Sequence, residues 1–572
     1  MAGPSCLRHA FVRAVMRGAA CVASHVGIMH LASPRLRRLG ALLTLAAPVA
    51  LRSQSVTALT PSWQEAIAAR DVEMYLRVAQ VAGQAPLAPW TIRALSPEAL
   101  DGLARDAGHP WSARFRRDTT RALRVHVFSP ELDLIGTTGY PVLGVIDGAV
   151  WAGRGLTTVL TGGAQLRTRH LSLTVRPTLF RAENVHFSEA PVDPTVPSPH
   201  GDAIWGCCID APQRFGTGAY MRIDPGESTL RFWTGPVAVG VSSATQAWGP
   251  SDENPLVLGA GAAGIPHVFV ETSHPLSVGI GRVQARLLIG RPSHSIVPTD
   301  SARARKVAGG VVSFTPRGVP ALEVGLARFF HAWLQPEGLG PADFLVPLSG
   351  LFATSRAPKR FDDPTAPDFR PKNEIASVFA RWVSVAGHAE LWGEYVKNDH
   401  PLDRRDLVVE PDHDAAWSLG ARKVVRATPR RTTALSAEYV SAGVSHLNRV
   451  RTQTPMYIHF PITEGHTQLG QLLASTAATG GGGFFLRLDT YTQGGARSVG
   501  LERFIRQTPA FAEGPPESGY DVVYRLRADA TLFRARADVV VGALAEYELN
   551  RDFRRDVPNF QIRLGLRPRR TR

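Results

Sequence analysis

Residues 560–566 (FQIRLGL) decide the fold, because apolar and polar side chains alternate strictly along them. The same alternation recurs in residues 282–289 (RVQARLLI), 389–395 (AELWGEY), 484–489 (FFLRLD) and 532–541 (LFRARADVVV). Successive side chains of a β-strand point to opposite faces, so each stretch predicts a strand with one apolar and one charged face.

The strands accompany a turn-rich composition, with 53 glycines and 43 prolines among 572 residues. The mean hydropathy is only −0.06, which fits a sheet that averages an apolar face with a polar one. A sheet closed on itself, apolar outside and polar inside, is typical of a transmembrane antiparallel β-barrel. Residues 119–568 are predicted to form it, and at about 25 residues per strand they hold roughly 16 to 18 strands.

Residues 1–55 are predicted to be a signal peptide. The basic residues 35–38 (RLRR) precede an apolar run, 39–51 (LGALLTLAAPVAL), and Ser53 and Ser55 offer a cleavage site. The run is too short to span a bilayer, which favours export over a membrane anchor. Translation could also begin at Met16 or Met29.

The net charge of +15 falls to +8 once the seven arginines of residues 1–55 are removed, since that segment contains no lysine and no acid. A mild positive charge permits attraction to anionic glycans or lipopolysaccharide. Without a basic block or an aromatic single-strand motif, it does not indicate nucleic-acid binding. No cofactor motif is recognised either.

Cys207 and Cys208 are the only cysteines of the predicted mature chain. Two free thiols in a loop are the favoured interpretation, and a vicinal disulfide that stiffens the loop is the alternative. A metal site is the least favoured, because no second Cys/His cluster has ligand spacing.

Two helices are predicted ahead of the barrel, within a periplasmic helical segment at residues 56–118. The first covers residues 62–80 (SWQEAIAARDVEMYLRVAQ) and the second residues 96–108 (SPEALDGLARDAG). A long proline-rich connection at residues 336–371 is predicted to be an external loop. Residues 569–572 form a basic tail.

One central region contains motifs that the strand alternation common to all barrels does not explain. Residues 243–274 (SATQAWGPSDENPLVLGAGAAGIPHVFVETSH) contain Trp-Gly-Pro, Asn-Pro-Leu and Gly-Ile-Pro-His pieces that resemble the signature of the capsule-assembly (Wzi-like) outer-membrane family. Three further segments also resemble sequences of that family: residues 151–155 (WAGRG), 214–218 (RFGTG) and 394–399 (EYVKND). The barrel ends without the usual terminal aromatic residue, which departs from the pattern of outer-membrane barrels.

The resemblance implies a lectin-like protein that binds or organises capsular or extracellular polysaccharide at the cell surface. It implies contact with outer-membrane lipid and with the outer-membrane insertion machinery, and neither catalysis nor a cofactor. The alternatives from the residues alone are a porin or substrate-specific channel, which shares the same strand pattern, and a secreted β-rich glycan hydrolase.

Candidate ligand-binding residues are Trp248, His267, Arg356, Lys359 and Arg360. The Trp248 indole could stack on a sugar ring, although a Gly-Pro turn with the ring packed beneath it is the favoured interpretation. For His267, a hydrogen-bonded structural role is favoured over ligand contact. The three basic residues could attract an acidic glycan or simply be solvated.

Two carboxylates of one strand, Glu390 and Glu394, raise the question of glycosidase chemistry. Their Cα atoms should lie roughly 13 Å apart, farther than the carboxyl separation that glycosidases use. Pairing with luminal arginines is the favoured interpretation. The suggested partners are Arg487, Arg525, Arg527, Arg534 and Arg536.

Overall fold

The computed structural model describes residues 71–95, 108–114, 123–144, 148–298, 303–348, 372–398, 404–445, 453–460, 462–509 and 519–568. The predicted signal peptide, the second predicted helix up to residue 107 and the basic tail lie outside the described residues. Everything below concerns the part that is described.

The described strands form a closed antiparallel barrel of 18 strands, at the upper end of the predicted range. Neighbours in the chain pair in register, and the last strand pairs with the first, with Leu132 opposite Leu566. The strands are β1 (Arg124–Thr137), β2 (Gly155–Arg167), β3 (Leu171–Val175 and Thr178–Ala182), β4 (Tyr220–Asp224 and Thr229–Thr234), β5 (Val237–Ser242), β6 (His267–Thr272 and Leu276–Ser277), β7 (Gly281–Gly290), β8 (Arg305–Pro316), β9 (Leu322–Trp333), β10 (Lys372–Ser384), β11 (Ala389–Asn398), β12 (Ala415–Ala427), β13 (Arg431–Ser441), β14 (Gly482–Thr492), β15 (Gly495–Gln507), β16 (Asp521–Phe533), β17 (Ala537–Arg551) and β18 (Arg555–Pro568).

The two ends of the barrel differ in the length of their connections. At one end β14 joins β15 through residues 493–494 alone, whereas at the other end β13 reaches β14 through residues 442–481. Outer-membrane barrels have short periplasmic turns and longer extracellular loops. The long-loop mouth is therefore the external one.

The alternation predicted from the sequence sets the two faces of the wall. In β18, Phe560, Ile562 and Leu564 point outward and are 53%, 59% and 52% exposed. Near the external ends of the strands, outward aromatic side chains form a ring, as expected at a membrane interface. Its members are Trp417, Tyr439, Phe484, Tyr524, Tyr547 and Phe560. No described helix has the length and apolar content needed to cross a membrane.

The prediction of one strand over residues 532–541 is wrong. β16 ends at Phe533 and β17 begins at Ala537, and the turn between them is closed by the Arg534 backbone N–H donating to the Ala537 carbonyl at 3.2 Å. The alternation continues through this turn, which contains neither glycine nor proline, so periodicity alone could not reveal it.

The lumen is filled by segments that we call the plug: α1 (Asp71–Val81), residues 90–95, residues 247–265, residues 456–458 and residues 462–478. α1 is the described part of the first predicted helix. It packs against Val383, Val424, Ala434 and Tyr491, all close to the short turns. α1 therefore occupies the periplasmic mouth.

The central plug residues belong to one apolar core with the inner wall. The plug contains two small two-stranded sheets. Ile92–Arg93 pairs with Ala247–Trp248 in one, and Thr467–Gln468 pairs with Gln471–Leu472 in the other. The remaining short elements are α2 (Arg404–Val409) and three 3₁₀ helices, Ser112–Arg114, Pro341–Leu348 and Thr476–Ala478.

Candidate functional site

A buried ion network fastens α1 to the wall and to the rest of the plug. Arg77 Nε donates to Glu390 Oε1 at 2.9 Å, and a second nitrogen of Arg77 contacts Asp252. Arg422 Nη1 lies 2.7 Å from Glu390 Oε2 and also pairs with Asp252, while Arg381 Nε lies 2.5 Å from Glu390. The Arg77 and Glu390 side chains are completely buried, so these charges depend on one another.

Asp252 remains ionised inside the plug. Burial tends to raise its pKa, but Arg77, Arg422 and Arg93 outweigh that effect and hold the pKa below its usual range. The carboxylate therefore stays a permanent partner of the two guanidinium groups that contact it.

Further charges of the inner wall are also paired. Glu253 of the plug lies 3.2 Å from both Arg487 and Arg527. Arg525 bridges Glu546 at 2.6 Å and Glu502 at 2.8 Å. The predicted luminal pairing of Arg487, Arg525 and Arg527 is confirmed, but their partners are Glu253, Glu502 and Glu546 in place of Glu390 and Glu394. For Arg534 and Arg536 the prediction is wrong, because both lie exposed in the turn between β16 and β17.

The two carboxylates considered for hydrolysis have different surroundings. Three arginines bind the Glu390 carboxylate, which leaves it a structural anion. Glu394 faces Gly249 of the plug, whose φ of +92° suits glycine and where an added Cβ would lie 2.8 Å from Glu394 Oε2. Each of the two carboxylates therefore faces the plug, and neither faces an open cleft.

Trp248 is completely buried in the plug. Its ring meets Phe329 in a T-shaped contact with centroids 6.0 Å apart, and its backbone N–H donates to the Leu258 carbonyl at 3.0 Å. This arrangement matches the packed-turn interpretation. The indole has no face open to the surface.

His267 is 3% exposed and held by two neighbours. Its Nδ1 donates to the Ile265 carbonyl at 2.6 Å, and Arg286 Nη2 lies 3.3 Å from its Nε2. The geometry matches the structural interpretation. Arg356, Lys359 and Arg360 lie outside the described residues, so their role in binding stays a prediction.

An aromatic pair with one exposed ring lies on the external loops. We call this region the cap and define it as Asp202, Trp205, the Cys207–Cys208 pair and Phe460. Phe460 is 53% exposed, and the half-buried Trp205 meets it in a T-shaped contact with centroids 6.2 Å apart. Asp202 Oδ1 accepts hydrogen bonds from the backbone N–H groups of Ile204 and Trp205, at 2.9 and 2.7 Å, and so fixes the turn that presents the indole.

The cysteines form a disulfide, which was the less favoured interpretation of the sequence. Cys207 is exposed, and Cys208 is buried with Ile209 and Ile458, so the apolar packing of Cys208 joins the Trp205 turn to the segment that carries Phe460. No cluster of three metal-ligating side chains occurs among the residues that the structure describes.

Charged groups adjoin the aromatic pair. Burial raises the pKa of Asp202, while its two backbone donors and the charge of Arg506 act in the opposite direction. Arg506 in turn lies 2.5 Å from both Asp521 and Glu548 and contacts Asp552. The cap therefore combines accessible ring faces with fixed charges and hydrogen-bonding groups.

Sequence reasoning missed Trp205 and Phe460. The only local signal was the position of Trp205, two residues before the vicinal cysteines in a proline-rich loop. The partnership with Phe460 depends on a contact between segments far apart in the chain.

No protein-family model matches the sequence, and no curated protein sequence matches it either. Among solved structures, the chain is similar to Wzi of Escherichia coli, described as a carbohydrate-binding outer-membrane β-barrel involved in group 1 capsule assembly. The identity is 11% and the TM-score 0.55, over 89% of this chain and 99% of Wzi.

Weaker matches include Acinetobacter baumannii OccAB2 (10% identity, TM-score 0.36, 76% of this chain and 96% of that one) and Pseudomonas aeruginosa OpdQ (8%, 0.36, 77% and 97%). Nothing about function follows from likeness at that level. The match to Wzi confirms the predicted resemblance in fold: this chain has the fold of an outer-membrane β-barrel, with Wzi-like architecture.

Proposed function

We propose that this protein binds surface polysaccharide through its external cap and does not act as an open diffusion channel. The observation that carries the proposal is the Trp205–Phe460 pair on the external side of the barrel, in which Phe460 is exposed, Asp202 fixes the Trp205 turn and Cys208 packs on Ile458. The fold is also that of Wzi, a barrel described as carbohydrate binding.

The chemistry of the cap suits a sugar. The C–H face of a pyranose packs on an aromatic ring, while its hydroxyl groups need hydrogen-bonding partners at the edge of the contact. Trp205 and Phe460 supply rings, and Arg506, whose charge acts on Asp202 and whose side chain is 23% exposed, supplies a donor. A preorganised turn lowers the entropy lost on binding.

The filled lumen supports binding over transport. Apolar plug residues such as Leu256, Val257 and Tyr457 are fully buried in one core with inner-wall residues such as Phe329 and Ile375. A diffusion channel needs a water-lined path through this region. Passage of a solute would require the core to come apart.

The test is binding of the purified, folded barrel to extracellular polysaccharide isolated from the bacterium that makes it. We expect Trp205→Ala and Phe460→Ala each to weaken binding about tenfold, equivalent to about 1.4 kcal/mol. Phe484→Ala is the matched control, since Phe484 is a similarly exposed ring on the lipid-facing wall. No binding by the unsubstituted barrel, together with steady ion conductance in a planar bilayer, would instead establish a channel.

A further inference from the structure

The segment after β9 folds back along the outside of the barrel. Its 3₁₀ helix, Pro341–Leu348, packs against β7, β8 and β9. Gly310 of β8 shows which face of the wall this helix covers. The preceding residue, Gly309, meets Trp248 of the plug, so Gly310 faces outward. The side chains nearest to Gly310 are those of Leu287 and Pro347. The helix therefore lies on the outer wall.

Polar contacts fasten this helix to the wall. Lys306 Nζ lies 2.7 Å from Asp343 Oδ1, and Arg328 Nη1 donates to the Pro347 carbonyl at 2.9 Å. Arg328 also pairs with Glu374 at 2.6 Å. An outward-facing ion pair next to hydrocarbon would be unfavourable unless it were covered, and the helix provides that cover.

The apolar wall under this segment is also shielded. Ile289 and Ala308 share the outward face of their strands and are each 6% exposed, and Phe330 is 2% exposed. Elsewhere outward apolar side chains are accessible; Val378 of β10, for example, is 52% exposed. The segment therefore replaces part of the lipid-facing surface with its own.

The replacement surface is apolar as well. Leu345 and Leu348 are 61% and 52% exposed, and Leu339 is 38% exposed. These side chains adjoin the lipid-facing belt, since Val312 lies two residues from Gly310 on the same outward face and is 36% exposed. Val378 pairs with Tyr395, next to Trp417 of the aromatic ring, so the helix lies close to the outer interface.

We propose that Leu339–Leu348 is an outer-leaflet anchor, with Leu345 and Leu348 among the acyl chains and the Lys306–Asp343 and Arg328–Glu374 pairs sealed beneath it. Lipid is the occupant because this surface continues the belt that lipid already covers. A second copy of the chain on the same surface is the competing occupant. The anchor is independent of polysaccharide binding.

The test is a nitroxide attached at Leu345→Cys in the full barrel, reconstituted into phospholipid vesicles without reductant so that the native disulfide stays closed. Matched labels are placed at Leu526→Cys, on the lipid-facing wall, and at Thr217→Cys, on an exposed external loop. The unsubstituted chain measures background labelling, and a heat-dependent shift in gel mobility shows that each variant is folded.

We expect the Leu345 label to resemble the Leu526 label, with oxygen accessibility several-fold higher relative to a water-soluble nickel chelate than at Thr217. A Leu345 label that behaves like the Thr217 label would overturn the proposal. Dipolar broadening between Leu345 labels that vanishes when labelled protein is diluted with unlabelled protein would overturn it in favour of a second copy.

Discussion

Arg77→Met tests whether the buried ion network holds the plug closed. The substitution keeps an unbranched side chain of similar length and removes the guanidinium that contacts both Asp252 and Glu390. Glu390 keeps Arg381 and Arg422, whereas Asp252 keeps one direct ion pair, with Arg422, and the more distant charge of Arg93. The variant therefore leaves negative charge under-compensated in a site without access to water.

Breaking a buried pair by removing one partner costs about 3–5 kcal/mol. Because Arg422 and Arg381 still compensate part of the charge, we expect the lower end, about 3 kcal/mol. Each 1.4 kcal/mol is a factor of ten, so local opening of α1 should become about 100-fold more frequent.

Hydrogen exchange measured by mass spectrometry on the folded barrel reports this opening directly. Peptides covering α1 should exchange about 100-fold faster in Arg77→Met, while peptides of β16 and β17 keep their protection. Arg534→Met is the matched control, since Arg534 lies exposed in the turn between those strands. Adding Asp252→Asn to Arg77→Met should restore part of the protection, because it removes the charge left with a single partner.

Planar-bilayer recordings give a second readout. The unsubstituted barrel should be silent, and Arg77→Met should show brief openings. Unchanged exchange in α1 would refute the reasoning about the ion network. A large steady conductance of the unsubstituted barrel would refute the wider claim that the plug seals the lumen.

Other predictions concern the plug and the cap. Burial lowers the pKa of His466 to about 4 from 6.5. The stability that the neutral imidazole supports is therefore intact above pH 6.5, and about 3 kcal/mol of it is lost as pH falls towards 4. Unfolding midpoints in guanidinium should fall less steeply across this range in His466→Gln than in the unsubstituted barrel. Gly249→Ala should destabilise the barrel by about 1–3 kcal/mol through its positive φ and the approach to Glu394, whereas Gly318→Ala, at an open turn position, should be near neutral in thermal unfolding. Cys207 should resist alkylation, by intact-mass measurement, until a reductant is added; alkylation without reductant would show free thiols.

The alternation of side chains was sufficient to predict the wall. Outward Ile562 and inward Glu390 follow from period two alone, because lipid on one side and a polar interior on the other impose opposite requirements on neighbouring residues. The same rule does not predict which segments fill the lumen. Arg77 and Glu390 are 313 positions apart, and no local pattern links a helix in the leading segment to a strand in the middle of the barrel.

The helix at Asp71–Val81 shows a second limit. Periodicity predicted a helix there, and its position ahead of the first strand placed it on the periplasmic side. Nine of its 11 residues are nevertheless buried, including Glu73, Arg77 and Gln80. A surface helix would expose such side chains. They are buried here because the inner wall is itself partly polar, so the polar side chains of this helix can find partners there while its apolar side chains pack in the core.

The segment that carried the family resemblance lies in the plug, which changes what the resemblance implies. Trp248 and Leu256 pack against the inner wall, and Gly249 permits the close approach of Glu394. The packing of the lumen constrains these residues, so a sequence match to them indicates the architecture of a plugged barrel. Under the proposed function, ligand recognition would depend on loops such as those bearing Trp205 and Phe460, which packing constrains far less. A common plug is compatible with different ligands, so the proposal places any specificity of this chain at the cap.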